Sequence, residues 1–475
     1  MKNIIQPSNT QGIEVTSPID GEVIGSVTLN TITDLNEAVE KGQEAFTSWS
    51  NLTLRSRAKV LYKYRELLIE NIDELSELIQ SENGKTLPES RAEIEKAIEV
   101  TEFACSIPQL STDKTLEVSQ GIHCKISKKP LGVVASITPF NFPSMVPHWT
   151  IPIALVLGNS VILKPSEIVP ISATKIAALL QLAGLPENVF QVLFGQKEMV
   201  EAICDHPDIK AVSFVGSTKV AKIVYKRATA SYKRALCLGG AKNHILVLPD
   251  ANPDMAAKDI VASMSGCAGQ RCMAAAVMVA VCDVDHIIKA IILEAKKIIP
   301  GENLGAVISH TSKDRIEGYI SGADKQGARI LLDGRDVIIS EKENGSYVGA
   351  TIIDNVTPDM TIAKEEVFGP VLSIIRAKDI DEAIAIQNSS PYGNGASIFT
   401  QNSSLANYAS ERLKAGMIGV NIGVPVPREP FSFGGWDDSR FGASDITGES
   451  SIAFWTQDKK TTVKWNAGDK KDWMS

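Results

Sequence analysis

No run of about 18 consecutive apolar residues, the length needed to cross a bilayer, occurs in the chain, and its nearest candidate, residues 151–163, is interrupted by Pro152, Gly158 and Asn159. No membrane association is expected. The N-terminal Met1-Lys2-Asn3-Ile4-Ile5-Gln6-Pro7 lacks the apolar centre of a secretion signal. Seven cysteines (Cys105, Cys124, Cys204, Cys237, Cys267, Cys272 and Cys282) are scattered, odd in number and without a CxxC pair. That pattern disfavours a disulfide framework and a structural zinc site, so no metal is expected and a reducing, cytoplasmic setting fits best. Excess positive charge is lacking as well. The formal net charge of -8 argues against nucleic acid as the main partner, because a phosphate backbone requires a basic face. There is no G-x-G-x-x-G, so any nucleotide must be held by a pattern other than the ordinary dinucleotide fingerprint. Neither an internal repeat nor a low-complexity tract is evident.

What is present is a chain of 475 residues, 44% hydrophobic and 22% charged, with the composition of an ordinary globular protein of two or three domains. Residues 34–105 are rich in Glu, Lys, Leu and Ala at helical spacing, with Thr33-Asp34 as a plausible N-cap and Gly84 ending one long helix. From Leu131 the character changes. Short β-branched runs at 132–137, 160–163 and 211–215 alternate with helical stretches at 171–183 and 218–229, which implies a parallel sheet covered on both faces. A second α/β series begins near residue 243, with strands expected at 245–248, 277–281 and 371–375. The segment 118–130 and the tail from 452 read as strand pieces outside both series, of the kind that pair across subunits. The fold class is therefore α/β, with two open parallel-sheet domains and a cleft between them.

Cys272, in Gly269-Gln270-Arg271-Cys272-Met273-Ala274, follows a small-residue run and sits beside a guanidinium. Nearby positive charge favours thiolate over thiol and would activate it as a nucleophile, although an isolated cysteine is more often buried and inert. Asn141, within Thr138-Pro139-Phe140-Asn141-Phe142-Pro143, follows an expected buried strand and could donate to a developing oxyanion. Standing alone it reads as a turn asparagine. Lys164 and Glu167, at the end of another strand, could grip a ribose, and a carboxylate there would favour NAD over NADP; a solvated pair is equally compatible. Gly216-Ser217-Thr218 opens a helix and offers either a phosphate site or a simple N-cap. Glu366 and Phe368 fall two apart, on one side of an extended segment, where they could hold a nicotinamide ribose and ring; a surface Glu beside a core Phe is the ordinary alternative.

Taken together, the P-F-N-F-P, K-P-S-E, F-x-G-S, G-Q-x-C and E-x-F-G-P segments between Asn141 and Pro370 resemble the aldehyde dehydrogenase superfamily in order and wording. Within it, the phrases at 205–211, 240–244, 269–274 and 391–395 are most similar to the CoA-acylating methylmalonate-semialdehyde (malonate-semialdehyde) dehydrogenases. The resemblance implies a nucleophilic Cys272, with Asn141 and the Cys272 backbone amide as oxyanion hole. It places Thr138, Phe140, Lys164, Glu167, Gly216, Ser217, Gly239, Glu366 and Phe368 around NAD, and Arg271, Lys96 and Phe142 on the substrate side. It also implies an NAD-binding domain (1–117 and 137–241), a catalytic domain (242–447) and a small β oligomerisation flap (118–136 and 448–475), assembled as a homodimer or homotetramer.

One departure bears on the reaction. Hydrolytic members carry a glutamate in E-L-G-G-K, whereas here the stretch is Leu238-Gly239-Gly240-Ala241-Lys242. Without that base water attacks a thioester slowly, while the thiol of coenzyme A is partly ionised near neutral pH and needs less help. The expected reaction is NAD-dependent oxidation of a small acidic semialdehyde, with CoA as co-substrate. Release of the free acid from a carboxylated or sulfonated aldehyde is the alternative, and a non-catalytic binding protein on the same fold is a third. A second departure is Lys96, a point charge where the semialdehyde branch carries an arginine on an early helix.

Overall fold

The computed structural model describes Pro7 and residues 12–465. A two-stranded antiparallel sheet, Gly12–Thr16 with Val23–Thr28, precedes four helices: α1 (Ile32–Ser50), α2 (Leu54–Glu70), α3 (Ile72–Asn83) and α4 (Leu87–Leu110). The cap of α1 lies at Thr31, two residues before the expected Thr33. Thr31 Oγ1 accepts from the Asp34 amide while the Asp34 carboxylate accepts from the Thr31 amide, so a reciprocal capping box satisfies two free N–H groups at once. Gly84 ends α3 at φ 87°, a left-handed conformation that costs glycine least.

The first sheet contains β1 (Val133–Ile137), β2 (Ser160–Lys164), β3 (Phe190–Val192), β4 (Ile209–Val215) and β5 (Arg234–Leu238). Their spatial order is β5-β4-β1-β2-β3, all parallel, with Arg440–Phe441 added antiparallel beside β5. The chain runs outward from β1 through β2 and β3, then returns to its other side with β4. That reversal opens a crevice beyond the carboxyl ends of β1 and β4, where open α/β sheets take ligands. Every residue of β1, β2 and β3 is buried, which explains the unbroken apolar runs in the sequence. Two helices follow strands of this sheet where the spacing predicts them, α5 (Pro170–Leu182) and α6 (Thr218–Ala230).

Beyond β5 the second sheet is built from β6 (Asn243–Val247), β7 (Ala275–Val281), β8 (Arg329–Leu332), β9 (Thr351–Asp354), β10 (Val371–Ala377), β11 (Gly395–Phe399) and β12 (Met417–Val420). The order is β8-β9-β10-β7-β6-β11-β12, and only β8 runs antiparallel to its neighbour. Helix α7 (Pro253–Ser265) connects β6 to the turn that precedes β7.

A third, antiparallel sheet joins Thr456–Lys464, Ile122–Pro130 and Lys114–Ser119, with Ile122–Pro130 in the middle. It contains the extra strand pieces expected from the sequence, with two changes: the first piece is a pair of strands that begins at Lys114 rather than 118, and the tail differs. Residues 448–454 form a helix, so the final strand begins at Thr456 rather than 452. Residues 466–475 of the expected flap lie outside the described residues. All seven cysteines are unpaired, and among the described residues no helix is long and apolar enough to cross a membrane.

Candidate active site

Between α7 and β7 the chain makes a tight turn in which Cys267, Ala268 and Gly269 all take positive φ, at 53°, 52° and 71°. Left-handed backbone at a non-glycine residue costs about 1–3 kcal/mol and persists only where its surroundings enforce it. Gly269 has no alternative, because a Cβ there would run into the backbone of Gly369 and Pro370. The turn delivers Cys272 to the cleft just before β7. Its carbonyl is held by two side-chain amides, Asn243 Nδ2 at 2.8 Å and Asn394 Nδ2 at 3.0 Å. Asn243 is itself fixed, donating to the Ala274 carbonyl and accepting from the Gly395 amide.

The thiol lies where two cavities meet. One, of about 260 Å³, faces the carboxyl edge of the first sheet, and the other, of about 220 Å³, lies against α4; Cys272 lines both. Asn141 lines the first of them and donates through Nδ2 to the Gln270 carbonyl at 2.9 Å. One hydrogen of that amide is thereby committed. The second is available to an oxygen bound near the sulfur.

Arg271 does not do what its position in the sequence implies. Burial, with the Glu366 carboxylate acting in the same direction, pushes the Cys272 thiol up to about 12, and the guanidinium opposes only as a lesser influence. The geometry gives the reason: Arg271 Nη2 turns back to the carbonyls of Ala262 and Ser263 at the end of α7, 2.6 and 3.4 Å away. Room for the guanidinium exists because residue 266 is glycine, whose Cβ would overlap it. The resting nucleophile is therefore a thiol, not a thiolate. Glu366, in the same cavity, is raised by burial to about 7, with the Ala241 amide at 3.1 Å and Lys242 opposing the rise. Lys242 is lowered by burial to about 8. Gly240 has no Cβ to obstruct the Glu366 carboxylate.

The structure gathers Phe140, Phe142, Gly216, Ser217, Gly239 and Phe368 in the wall of the larger cavity with Asn141, Glu366 and Cys272. Phe140 and Phe368 meet edge to face, centroids 6.0 Å apart. Ser217 occupies the N-cap of α6, yet its side chain makes no cap hydrogen bond. Thr138, Lys164 and Glu167 lie outside that wall. The Thr138 amide donates to the Lys164 carbonyl at 3.0 Å, and Lys164 Nζ pairs with Glu167 at 3.0 Å beyond the end of β2. Thr138 Oγ1 is buried with no hydrogen-bond partner. An orphaned hydroxyl, an unused N-cap serine and glycines at 216 and 239, just beyond the carboxyl ends of β1, β4 and β5, fit a dinucleotide. On the other side, Phe142, Lys96 and Arg271 line the smaller cavity with Met145, Trp149 and Glu429. Lys96 is not free there: its Nζ lies 2.7 Å from Glu429 and 3.1 Å from Glu99.

A sequence model described as the aldehyde dehydrogenase family matches residues 4–461. The chain belongs to the aldehyde dehydrogenase family. It is 41% identical to malonate-semialdehyde dehydrogenase 1 of Geobacillus kaustophilus (strain HTA426), over 97% of this chain and 96% of that one. Among solved structures, the methylmalonate-semialdehyde dehydrogenase of Oceanimonas doudoroffii superposes with a TM-score of 0.95 at 41% identity, covering 97% of this chain and 96% of that chain. A protein from Sinorhizobium meliloti 1021, assigned as a methylmalonate-semialdehyde dehydrogenase and complexed with NAD, superposes with a TM-score of 0.96 at 40% identity, covering 98% and 96%.

Sequence reasoning missed the residues that hold the nucleophile rather than the nucleophile itself. Asn243 and Asn394 lie within phrases that carry the family likeness, but nothing in their spacing announces that both converge on one carbonyl. Arg315, which lines the enzyme's larger cavity and whose Nη1 lies 3.3 Å from the Glu366 carbonyl oxygen, carries no motif. Glu429 follows a proline-rich loop and pairs with a residue 333 positions earlier.

Proposed function

We propose that this enzyme oxidises a small acidic semialdehyde, of the malonate- or methylmalonate-semialdehyde type, with NAD, and transfers the acyl group from Cys272 to coenzyme A. The observation that carries this reading is the position of Cys272 at the junction of two cavities, one with the features of a dinucleotide site and one small and largely apolar. In the first step Glu366, raised to about 7, takes the thiol proton as sulfur bonds to the aldehyde carbon. The oxygen that becomes negative accepts from the second Asn141 hydrogen and the Cys272 backbone amide, an arrangement in which one donor is worth about 3–4 kcal/mol. NAD, when bound, supplies the acceptor for the hydride that leaves the same carbon. Thr138, Gly216, Ser217 and Gly239 would border that cofactor, with Lys164 and Glu167 toward its adenosine end and Glu366, Phe140 and Phe368 toward its reactive end.

The product of that oxidation is a thioester on Cys272. Leu238 stands where hydrolytic relatives carry a glutamate; it is 5% exposed and packs in the apolar core that Cys272 borders. Water near the thioester therefore lacks that base, whereas the CoA thiolate needs none: its sulfur bonds to the acyl carbon and Cys272 departs as thiolate. Rapid mixing of enzyme, aldehyde and NAD without CoA tests this. About one NADH per site should form quickly, followed by slow turnover that CoA accelerates. Sustained fast release of free acid would favour the second reading, in which Glu366, the one carboxylate in the larger cavity among the described residues, activates water. The domain division at 117, 137, 242 and 448, a cytoplasmic location and assembly through the exposed three-stranded sheet, where Leu116 and Val118 are exposed, belong to the same proposal.

A further inference from the structure

The smaller cavity is lined by five charged residues, and their partners distinguish them. Glu89, Glu93 and Lys96 project from one face of α4, at positions separated by four and three residues. Glu89 is committed to the amides of Thr86 and Cys267. Glu93 is committed to Lys85 and to the amides of Ser144 and Met145. Neither acid is available to a ligand. Arg271 spends Nη2 on two carbonyls, but its Nε is buried with no acceptor, which makes it the under-satisfied cation of the cavity. Lys96 is the opposite case. Its ammonium is gripped by Glu429 at 2.7 Å, with side chains only 19% and 9% exposed, and by Glu99, which Arg428 holds from outside at 3.0 Å.

We propose that Glu429 is a specificity-determining residue: it occupies the place on Lys96 that a substrate carboxylate would take, so the acid group of an incoming semialdehyde is recognised through Arg271 alone. The proposal rests on the semialdehyde reading above. A carboxylate that approached Lys96 would meet Glu429 at hydrogen-bond range of the same ammonium. Two anions cannot share that position without like-charge repulsion, and a residue that repels is as effective a selector as one that attracts. Partial burial makes the effect larger than for a solvated pair, because few waters remain to screen it.

The test is a selectivity ratio, kcat/KM for 3-oxopropanoate divided by kcat/KM for propanal, measured with NAD and CoA saturating. Glu429→Gln keeps the shape and removes the charge, and should raise the ratio about fivefold or more by releasing Lys96 to the substrate. Lys96→Gln alone leaves the Glu429 carboxylate uncompensated and should lower the ratio, while adding it to Glu429→Gln should cancel the gain, the non-additivity expected of two residues in contact. An unchanged ratio in Glu429→Gln overturns the proposal. So does a gain that persists in the double variant, since Lys96 would then not be the group released; should Glu429→Gln fail to fold, Glu429→Ser removes the same charge and is read against the same outcomes. Product analysis separates this from the reading beneath it: free acid in place of acyl-CoA removes the acylating step, while a ratio that rises as described still supports Glu429 as selector.

Discussion

Asn243 donates its side-chain amide to the carbonyl oxygen of Cys272 at 2.8 Å, across 29 positions of sequence. The first residue of β6 thus restrains the backbone of the nucleophile, and Asn394, just before β11, repeats the restraint at 3.0 Å. Neighbouring strands of the second sheet locate the sulfur, while a strained turn on the other side brings it to the cleft.

Asn243→Ala should therefore lower kcat more than it alters KM for NAD, because it loosens the nucleophile and leaves the larger cavity's wall intact. Loss of a buried donor to two carbonyls should cost about 1–3 kcal/mol of stability. Steady-state kinetics and thermal unfolding check both parts. An unaltered kcat in a folded variant would show that Asn394 alone suffices to hold the loop.

Much of the fold is legible in the sequence because parallel strands buried on both faces leave continuous apolar runs, as at β1, β2, β4, β7 and β10. β3, β5, β8, β9, β11 and β12 have no counterpart among the strands expected from the sequence. They are only three to five residues long, and β11 begins with glycine, so neither length nor composition separates them from loop. Cys272, Asn141 and Glu366 stand in quotable motifs, and the structure brings them to one cavity. Adjacency to Arg271 predicts a thiolate at Cys272, and the structure departs from that for a physical reason: sequence adjacency says nothing of where a long side chain points, and this one turns away to α7. The sequence points to Lys96 but not to its partner Glu429, because an ion pair spanning 333 positions leaves no local pattern.

Titration of Cys272 offers a second prediction. With the thiol near 12 and Glu366 near 7, alkylation of ligand-free enzyme by iodoacetamide should rise about tenfold per pH unit below neutrality, since only the thiolate reacts. As pH passes about 7 Glu366 becomes anionic, and forming the thiolate then requires either a second adjacent negative charge or transfer of the proton to Glu366. The slope should flatten there. In Glu366→Gln the repulsion is gone, the thiol pKa falls, and the rate should climb without flattening and exceed wild type above pH about 8. Superimposable profiles for the two proteins would show that the two groups do not interact.

Glu167 supplies a third. Its carboxylate holds Lys164 at 3.0 Å at the end of β2, where a bound adenosine ribose would meet it. Glu167→Gln should weaken NAD and narrow its advantage over NADP, because one charge both accepts from ribose hydroxyls and repels a 2′-phosphate. Fluorescence titration with both cofactors measures this, and an unchanged preference would move the adenosine away from β2.

The last prediction concerns Leu238, the end residue of β5, buried beside the apolar residues that border Cys272. If slow deacylation in water reflects the missing base, Leu238→Glu should raise the CoA-independent rate, by about 10² to 10⁴ where the carboxylate is well placed. Burial acts on the variant in a definite direction. A carboxyl group in that apolar surrounding has its pKa raised, so the gain should be small at pH 6 and grow as the pH climbs and the group ionises. The substitution also introduces a polar group into a packed site, and a lower unfolding temperature should accompany the new activity. Measuring NADH release without CoA across pH 6–9, with wild type alongside, separates the outcomes. A parallel rise in both proteins would mean that hydroxide, rather than position 238, controls deacylation, and the explanation of CoA dependence by Leu238 would fall.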